Sequence, residues 1–189
     1  MDTRSIMIVG VGGQGTLLAS RLLGHVLIEQ GYDVKVSEVH GMSQRGGSVV
    51  TYVRYGDRVY SPIVDEGEAD VILSFEILES ARWISYLKRG GQLVTNTQKT
   101  WPMPVITGAV SYPDGIAEKL SAMANVTAVD ALKLAEQAGS AKAVNVVLIG
   151  VLSRKMDIPE DAWLAAIDAV VPEKFREMNK KAFALGRNA

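Results

Sequence analysis

Cysteine is absent from all 189 residues. Disulfides, cysteine-held iron–sulfur clusters, zinc ribbons and a cysteine nucleophile are therefore excluded within this chain, and any redox chemistry must use a borrowed or bound cofactor. Excess charge of either sign is also lacking: 20 Lys and Arg stand against 21 Asp and Glu, a formal net charge of -1. That balance gives no field to hold a nucleic-acid backbone or an anionic membrane. Long apolar runs are missing too. Val144 to Leu152 falls far below the ~20 residues needed to span a bilayer, and the N-terminal run Ile6 to Val11 stops at glycines without the length or cleavage pattern of a secretory signal. Histidine is scarce: His40 has only the distant His25 for company, which argues against metal ligation. Trp83, Trp101 and Trp163 are scattered with no basic cluster beside them, so they read as core or interface residues rather than base-stacking platforms. The expectation is a soluble, cytoplasmic protein with neither nucleic acid nor membrane as partner.

What is present is the composition of one globular domain, 48% hydrophobic and 22% charged, and residues 1–189 read as a single unit without repeat, linker or low-complexity tract. Ser5 to Val11 is a strand-like run, Gly13 to Gln30 has helical periodicity, Gly31 is a C-terminal cap, and Val34 to Val39 is a second strand. These form a βαβ unit. Ser48 to Tyr55 and Arg58 to Ile63, joined by Gly56-Asp57, read as a β-hairpin, which makes the sheet mixed. Asp70 to Phe75 is a buried strand, Glu76 to Lys88 a helix stopped by Gly90-Gly91, and Gln92 to Asn96 the next strand. Thr97 to Pro113, with Pro102, Pro104 and Pro113, is mostly loop and is placed to form a flap over a site. Asp114 to Met123 is helical and Val126 to Val129 is a strand. Asp130 then caps a helix running to Gln137 and ending at Gly139. Ala141 to Met156 is apolar nearly all round. Asp157 with Glu160 makes a capping box for the helix Glu160 to Val170, and Pro172 opens a last helix whose Phe175, Met178, Ala182 and Leu185 form an amphipathic face. The expected class is α/β, a Rossmann-like three-layer fold with a mixed, mainly parallel sheet.

Two loops carry the chemical signal. Gly10-Val11-Gly12-Gly13-Gln14-Gly15 is a GxGxxG between strand and helix, with Glu38 at the end of the next strand. Gly10 permits the tight turn, Gly12 and Gly13 let a ligand approach backbone N–H groups, the helix N-terminus favours an anion, and Gln14 and Thr16 add donors. The competing reading is a glycine-rich turn required only by helix–sheet packing. The second loop, His40-Gly41-Met42-Ser43-Gln44-Arg45-Gly46-Gly47, leaves the second strand at the same end of the sheet. Arg45 offers a fork of donors suited to a carboxylate or phosphate, supported by Ser43 and Gln44; the alternative is an exposed loop with one solvated arginine. Asn145, the odd polar residue in an apolar helix, either satisfies backbone groups or points into a site. No tyrosine is followed four residues later by lysine, so the Tyr-x-x-x-Lys pair of short-chain dehydrogenases is missing, and the chain is too short for a separate catalytic domain after a dinucleotide fold.

Gly10-Val11-Gly12-Gly13-Gln14-Gly15-Thr16 and Ser37-Glu38-Val39-His40-Gly41-Met42-Ser43-Gln44-Arg45-Gly46-Gly47-Ser48-Val49-Val50 resemble the gamma-type subunit of 2-oxoacid:ferredoxin oxidoreductases, and within it the indolepyruvate branch. The likeness continues through Glu66-Gly67-Glu68-Ala69-Asp70-Val71, Tyr112-Pro113, Ala143-Val144-Asn145-Val146-Val147-Leu148-Ile149-Gly150, and Asn179 with Ala182-Phe183, so it spans essentially the whole chain. It implies a domain like the third domain of pyruvate:ferredoxin oxidoreductase, which closes over an active site and helps hold coenzyme A. It also implies oxidative decarboxylation of indolepyruvate or another arylpyruvate to acyl-CoA, with ferredoxin as acceptor. Thiamine diphosphate and iron–sulfur clusters would sit on a larger partner subunit, so this chain alone would hold no cofactor and be inactive, coenzyme A entering as co-substrate. The residues implicated in binding are Gly10, Gly12, Gly13, Gln14, Gly15, Thr16, Ser43, Gln44, Arg45 and Gly46; none is assigned a catalytic or metal-binding role. Two other readings remain: a free-standing protein that binds NAD through GxGxxG and Glu38, and a purely structural subunit whose last helix docks a partner.

Overall fold

A computed structural model describes residues 2–39 and 46–189. Strand β1 (Arg4–Val11) turns through the glycines into helix α1 (Thr16–Glu29), followed by β2 (Asp33–Val39) and β3 (Ser48–Gly56). A second crossover is built from β4 (Ala69–Ser74), α2 (Ile77–Trp83) and β5 (Leu87–Asn96). Then come α3 (Met103–Ile106), α4 (Ile116–Met123), β6 (Asn125–Val129), α5 (Ala131–Ala138), α6 (Val144–Ser153), α7 (Glu160–Val170) and α8 (Arg176–Arg187). The strands lie in the order β2-β3-β1-β4-β5-β6. Only β3 runs against its neighbours, so the sheet is mixed and mainly parallel, as the sequence leads one to expect.

β1 reads as an unbroken apolar run because both of its faces are covered. Ile6 and Ile8 enter one cluster, with α1 and α5 to α8, while Met7 and Val9 enter a second, with α2 and α4. Sheet and helices thus form three layers. On α1 Leu22, Leu23, Val26 and Leu27 are buried and Leu18 packs half-buried on the same core, while Arg21 and Glu29 are exposed and His25 is half-buried, the outcome of a 3.6-residue period laid on a sheet. Asp130 caps α5 by accepting the Lys133 N–H at 3.0 Å, and Gly139 ends it. All of α6 is buried, and it crosses α8 backbone to backbone. A β-carbon on Gly150 would lie 2.2 Å from the Phe183 carbonyl oxygen, and one on Gly186 2.0 Å from that of Val147. Most of the expected apolar face of α8 is spent within the chain: Ala182 and Phe183 are buried and Met178 and Leu185 pack on the same core, whereas Phe175 lies in the turn before the helix and stays exposed.

Several expectations need correction. Arg58 to Ile63 is not a strand, and the antiparallel hairpin pairs β2 with β3 instead. The segment is held by side chains, with the Asp33 carboxylate accepting the Val59 N–H at 2.8 Å and Arg54 donating to the Ile63 carbonyl at 2.8 Å; Pro62 cannot donate to a ladder. The helix after β4 ends at Trp83, a 3-10 turn covers Ile84–Tyr86, and β5 already begins at Leu87, so Gly90-Gly91 lies inside a strand with an irregular register. Gly91 permits that closeness, since a β-carbon there would meet the Leu87 side chain at 2.8 Å. Asp157 does not cap α7, whose N-cap is Pro159 without a side-chain bond. After Pro172, a 3-10 turn (Glu173–Phe175) precedes α8.

Candidate functional site

β1, β2, β4 and β5 all deliver their C-terminal ends to one edge of the sheet. β1 and β4 are neighbours, but α1 and α2 leave them on opposite faces. That divergence is a topological switch point, where open α/β sheets form a crevice. The crevice holds a cleft of about 510 Å³, bounded by Gly13, Gln14 and Gly15 on one side, Gln98 beyond β5, and Lys142 and Val144 at the start of α6.

The glycines do different jobs. Gly10 lies within β1 and serves close packing rather than the turn, since a β-carbon there would meet Gln14 Oε1 at 2.8 Å and Phe75 Cβ at 3.0 Å. Gly13 and Gly15 carry positive φ, 96° and 84°, a region that side chains resist. Nothing lies within 4 Å of a β-carbon at Gly13, so the turn opens onto the cleft there. The Gln14 carboxamide is turned inward, its Oε1 accepting the Val11 N–H at 2.8 Å and its Nε2 donating to the Phe75 carbonyl at 3.4 Å. It ties the end of β1 to the end of β4. Thr16 is buried at the head of α1, which has no side-chain cap, so first-turn N–H groups remain for an incoming acceptor.

The two loops singled out from the sequence do meet, because the Gly12 N–H donates to the Gly47 carbonyl at 2.9 Å. Gly46, with φ 90°, lies at that junction; Ser43, Gln44 and Arg45 lie outside the described residues. Asn145 satisfies backbone groups. Its Nδ2 donates to the Gly15 carbonyl at 3.2 Å and its Oδ1 accepts the Val146 N–H at 2.9 Å, which pins the glycine turn to the start of α6. Lys142, Gln98 and this Asn145 contact were not legible as one site, since 130 residues separate Asn145 from Gly15.

A buried polar belt flanks the cleft. Glu76, 1% exposed, caps α2: its Oε2 accepts the Glu79 N–H at 2.9 Å, and its Oε1 accepts the Thr100 N–H and the Tyr112 hydroxyl, each at 2.9 Å. Glu79, also buried, accepts from Ser48 Oγ and pairs with Arg82 at 3.0 Å. Burial, then the bond to Glu76 and the charges of both carboxylates, push the Tyr112 hydroxyl well above the ordinary tyrosine range. The sequence marked Tyr112 only through the family likeness, and nothing local marks Glu76 as buried.

Glu38 is less well placed for NAD than its chain distance suggests. In the dinucleotide fold the strand bearing the ribose-binding acid adjoins β1. Here β3 intervenes, so β2 stands two strand spacings away, roughly 9.5 Å. The Glu38 carboxylate accepts from Ser20 Oγ on α1 at 3.0 Å.

Fold and crevice define an α/β domain with a cleft of mixed polar and apolar lining at its strand ends. The chain belongs to the pyruvate ferredoxin/flavodoxin oxidoreductase family, which it matches over residues 5–189. It is 46% identical to the protein named indolepyruvate oxidoreductase subunit IorB of Thermococcus kodakarensis, covering 100% of this chain and 96% of that one. Its fold is similar to pyruvate oxidoreductase subunit PORC of Thermotoga maritima, with a TM-score of 0.77 at 22% identity over 100% of this chain and 97% of that one. It is also similar to a 2-oxoglutarate:ferredoxin oxidoreductase of Magnetococcus marinus, solved with 2-oxoglutarate, coenzyme A and succinyl-CoA bound. There the TM-score is 0.77 at 19% identity, and the match covers 100% of this chain but 31% of that one. The gamma-type resemblance read from the residues thus holds along the whole chain, and its relatives are subunits of oxidoreductases.

Proposed function

We propose that this chain is the cluster-free small subunit of a 2-oxoacid:ferredoxin oxidoreductase that converts an arylpyruvate, indolepyruvate foremost, to the acyl-CoA with release of carbon dioxide. The electron pair passes to ferredoxin. The observation that carries this reading is the 46% identity to an indolepyruvate oxidoreductase subunit across the entire chain. Thiamine diphosphate on the larger subunit supplies the carbanion stabilisation that decarboxylation needs, and clusters there carry the electrons. The chain has no cysteine to ligate such clusters.

The part this subunit plays is to bind and orient an anion. The cleft edge at Gly13 to Gly15 and the head of α1, together with the loop Ser43 to Gly47 that the sequence assigns to the same site, receive coenzyme A phosphates or the oxoacid carboxylate. Two features support it: the Gly12–Gly47 bond draws the loops together, and the open turn at Gly13 lines the same cleft as Lys142. A carboxylate or phosphate there would meet first-turn N–H groups and a cation at once. In the assembled enzyme, Arg45→Ala should lower kcat/KM for coenzyme A or for the oxoacid by roughly 1.5–3 kcal/mol, the worth of a charge-assisted hydrogen bond. Unchanged kinetics for both substrates would remove Arg45 from the pocket. Anaerobic affinity purification should return a stoichiometric larger subunit containing iron and thiamine diphosphate; a lone chain without either would refute the subunit reading.

A further inference from the structure

The segment after β5 is unusual in two independent ways. Thr100 to Pro113 contains no Asp, Glu, Lys or Arg, in a chain where these make up 22% of residues. It also holds Trp101, Met103, Ile106 and Val110, which are 60%, 68%, 62% and 56% exposed. Surfaces that remain in water are normally interspersed with charge; contiguous apolar, uncharged surface marks an interaction site.

The segment is also preorganised. The Thr107 N–H returns to the Met103 carbonyl at 2.9 Å, and the Ala109 and Val110 N–H groups return to that of Pro104 at 2.9 and 3.2 Å, folding a knob around α3. Both ends of the knob hang on one buried atom, Glu76 Oε1, through the Thr100 N–H and the Tyr112 hydroxyl. A pinned knob loses little conformational freedom when something covers it. Gln98, two residues before Thr100, lines the cleft, so whatever seats on the knob also lies beside that opening.

We propose that Thr100–Pro113 is the docking knob for the larger subunit, with Trp101, Met103, Ile106 and Val110 entering an apolar depression on that chain beside the cleft. The inference rests on the subunit reading above. A polypeptide occupant is favoured because the same fold forms only 31% of the longer Magnetococcus marinus chain, where it stands alongside further polypeptide. Within the knob there is no Lys or Arg, and the one lysine against it, Lys99, lies over the Tyr112 ring at 5.5 Å, a single cation where an anionic membrane or nucleic acid would need a cluster.

The test uses the purified larger subunit and this chain, with affinity measured anaerobically and assembly followed by light scattering. Met103→Asp combined with Ile106→Asp should weaken the complex at least about a hundredfold, while circular dichroism and melting of this chain stay unchanged because both side chains face solvent. Ile28→Asp, at a 59% exposed position on α1 across the sheet, should leave affinity intact. Amides of residues 100–112 should gain hydrogen-exchange protection in the wild-type complex. Equal affinity for the double variant, or no gain in protection, overturns the docking assignment. Self-association that the double variant abolishes while the complex survives would give the knob to a second copy and likewise overturn it. A wild-type chain that never binds the larger subunit defeats the subunit reading instead.

Discussion

On one face of the sheet Ile6, Ile8, Leu73 and Val94 meet five helices, α1 and α5 to α8; on the other, Met7, Val9, Ile72 and Leu93 meet only α2 and α4. The first face is closed by apolar contact and by two helices brought together at Gly150 and Gly186. At the second, a belt of buried hydrogen bonds on Glu76 and Glu79 completes the strand ends and holds a knob with apolar residues facing water. Apolar packing of the first kind needs nothing further and has no reason to change. A carboxylate that gathers donors from distant loops fixes those loops in position, which is what a surface prepared for another molecule requires.

The largest effect should come from filling the helix crossing on the first face. Gly186→Ala or Gly150→Ala forces a methyl group against a backbone carbonyl that cannot turn aside, and either should cost at least about 3 kcal/mol in denaturant unfolding. An unchanged midpoint would show that α6 and α8 do not cross as described. On the second face Glu76→Ala leaves the Glu79 and Thr100 N–H groups and the Tyr112 hydroxyl without their acceptor, a loss of roughly 2–3 kcal/mol. The difference between the faces should show in hydrogen exchange: Glu76→Ala should speed exchange at Thr100 and through the knob, while Gly186→Ala leaves the knob's local protection much less altered.

The smallest effect tests Tyr112 by pH. Its raised folded value means that the neutral phenol is favoured in the native state. Its contribution is thus fully present below the ordinary tyrosine value near 10 and is lost as pH rises past it. Tyr112→Phe should lower stability at pH 7 by about 1 kcal/mol and flatten the alkaline decline followed to about pH 11. Some slope should persist, because burial also raises Tyr52 and Tyr55. An identical slope in the variant would separate Tyr112 from the Glu76 belt.

Much of this was readable from the residues. Strand β1, the glycine turn, α1 with its stripe, Asp130 as cap and Gly139 as stop are local matters, set by apolar period and by backbone preferences within a few residues. The proline-marked stretch Thr97 to Pro113 was likewise evident as mostly loop, with only the four-residue α3 inside it. The hairpin was misplaced because Arg58 to Ile63 alternates as a strand would, yet has no strand to pair with; Asp33 and Arg54 hold it instead. The helix ahead of β5 was read too long because Gly90-Gly91 resembles a stop signal, when the pair in fact lets an already started strand slip its register.

By itself, then, the sequence determined the alternation of strands and helices, the family, and the two loops that meet at one end of the sheet. Tertiary structure decided what joins across distance. β3 enters between β1 and β2 and separates Glu38 from the glycine turn, Asn145 reaches Gly15, and Glu76 draws Thr100 and Tyr112 to a single oxygen. The physical reason is the range of the forces involved. Periodicity and capping act over a few residues, whereas strand neighbours and the partners of a buried carboxylate are chosen by burial and hydrogen-bond satisfaction over the whole fold.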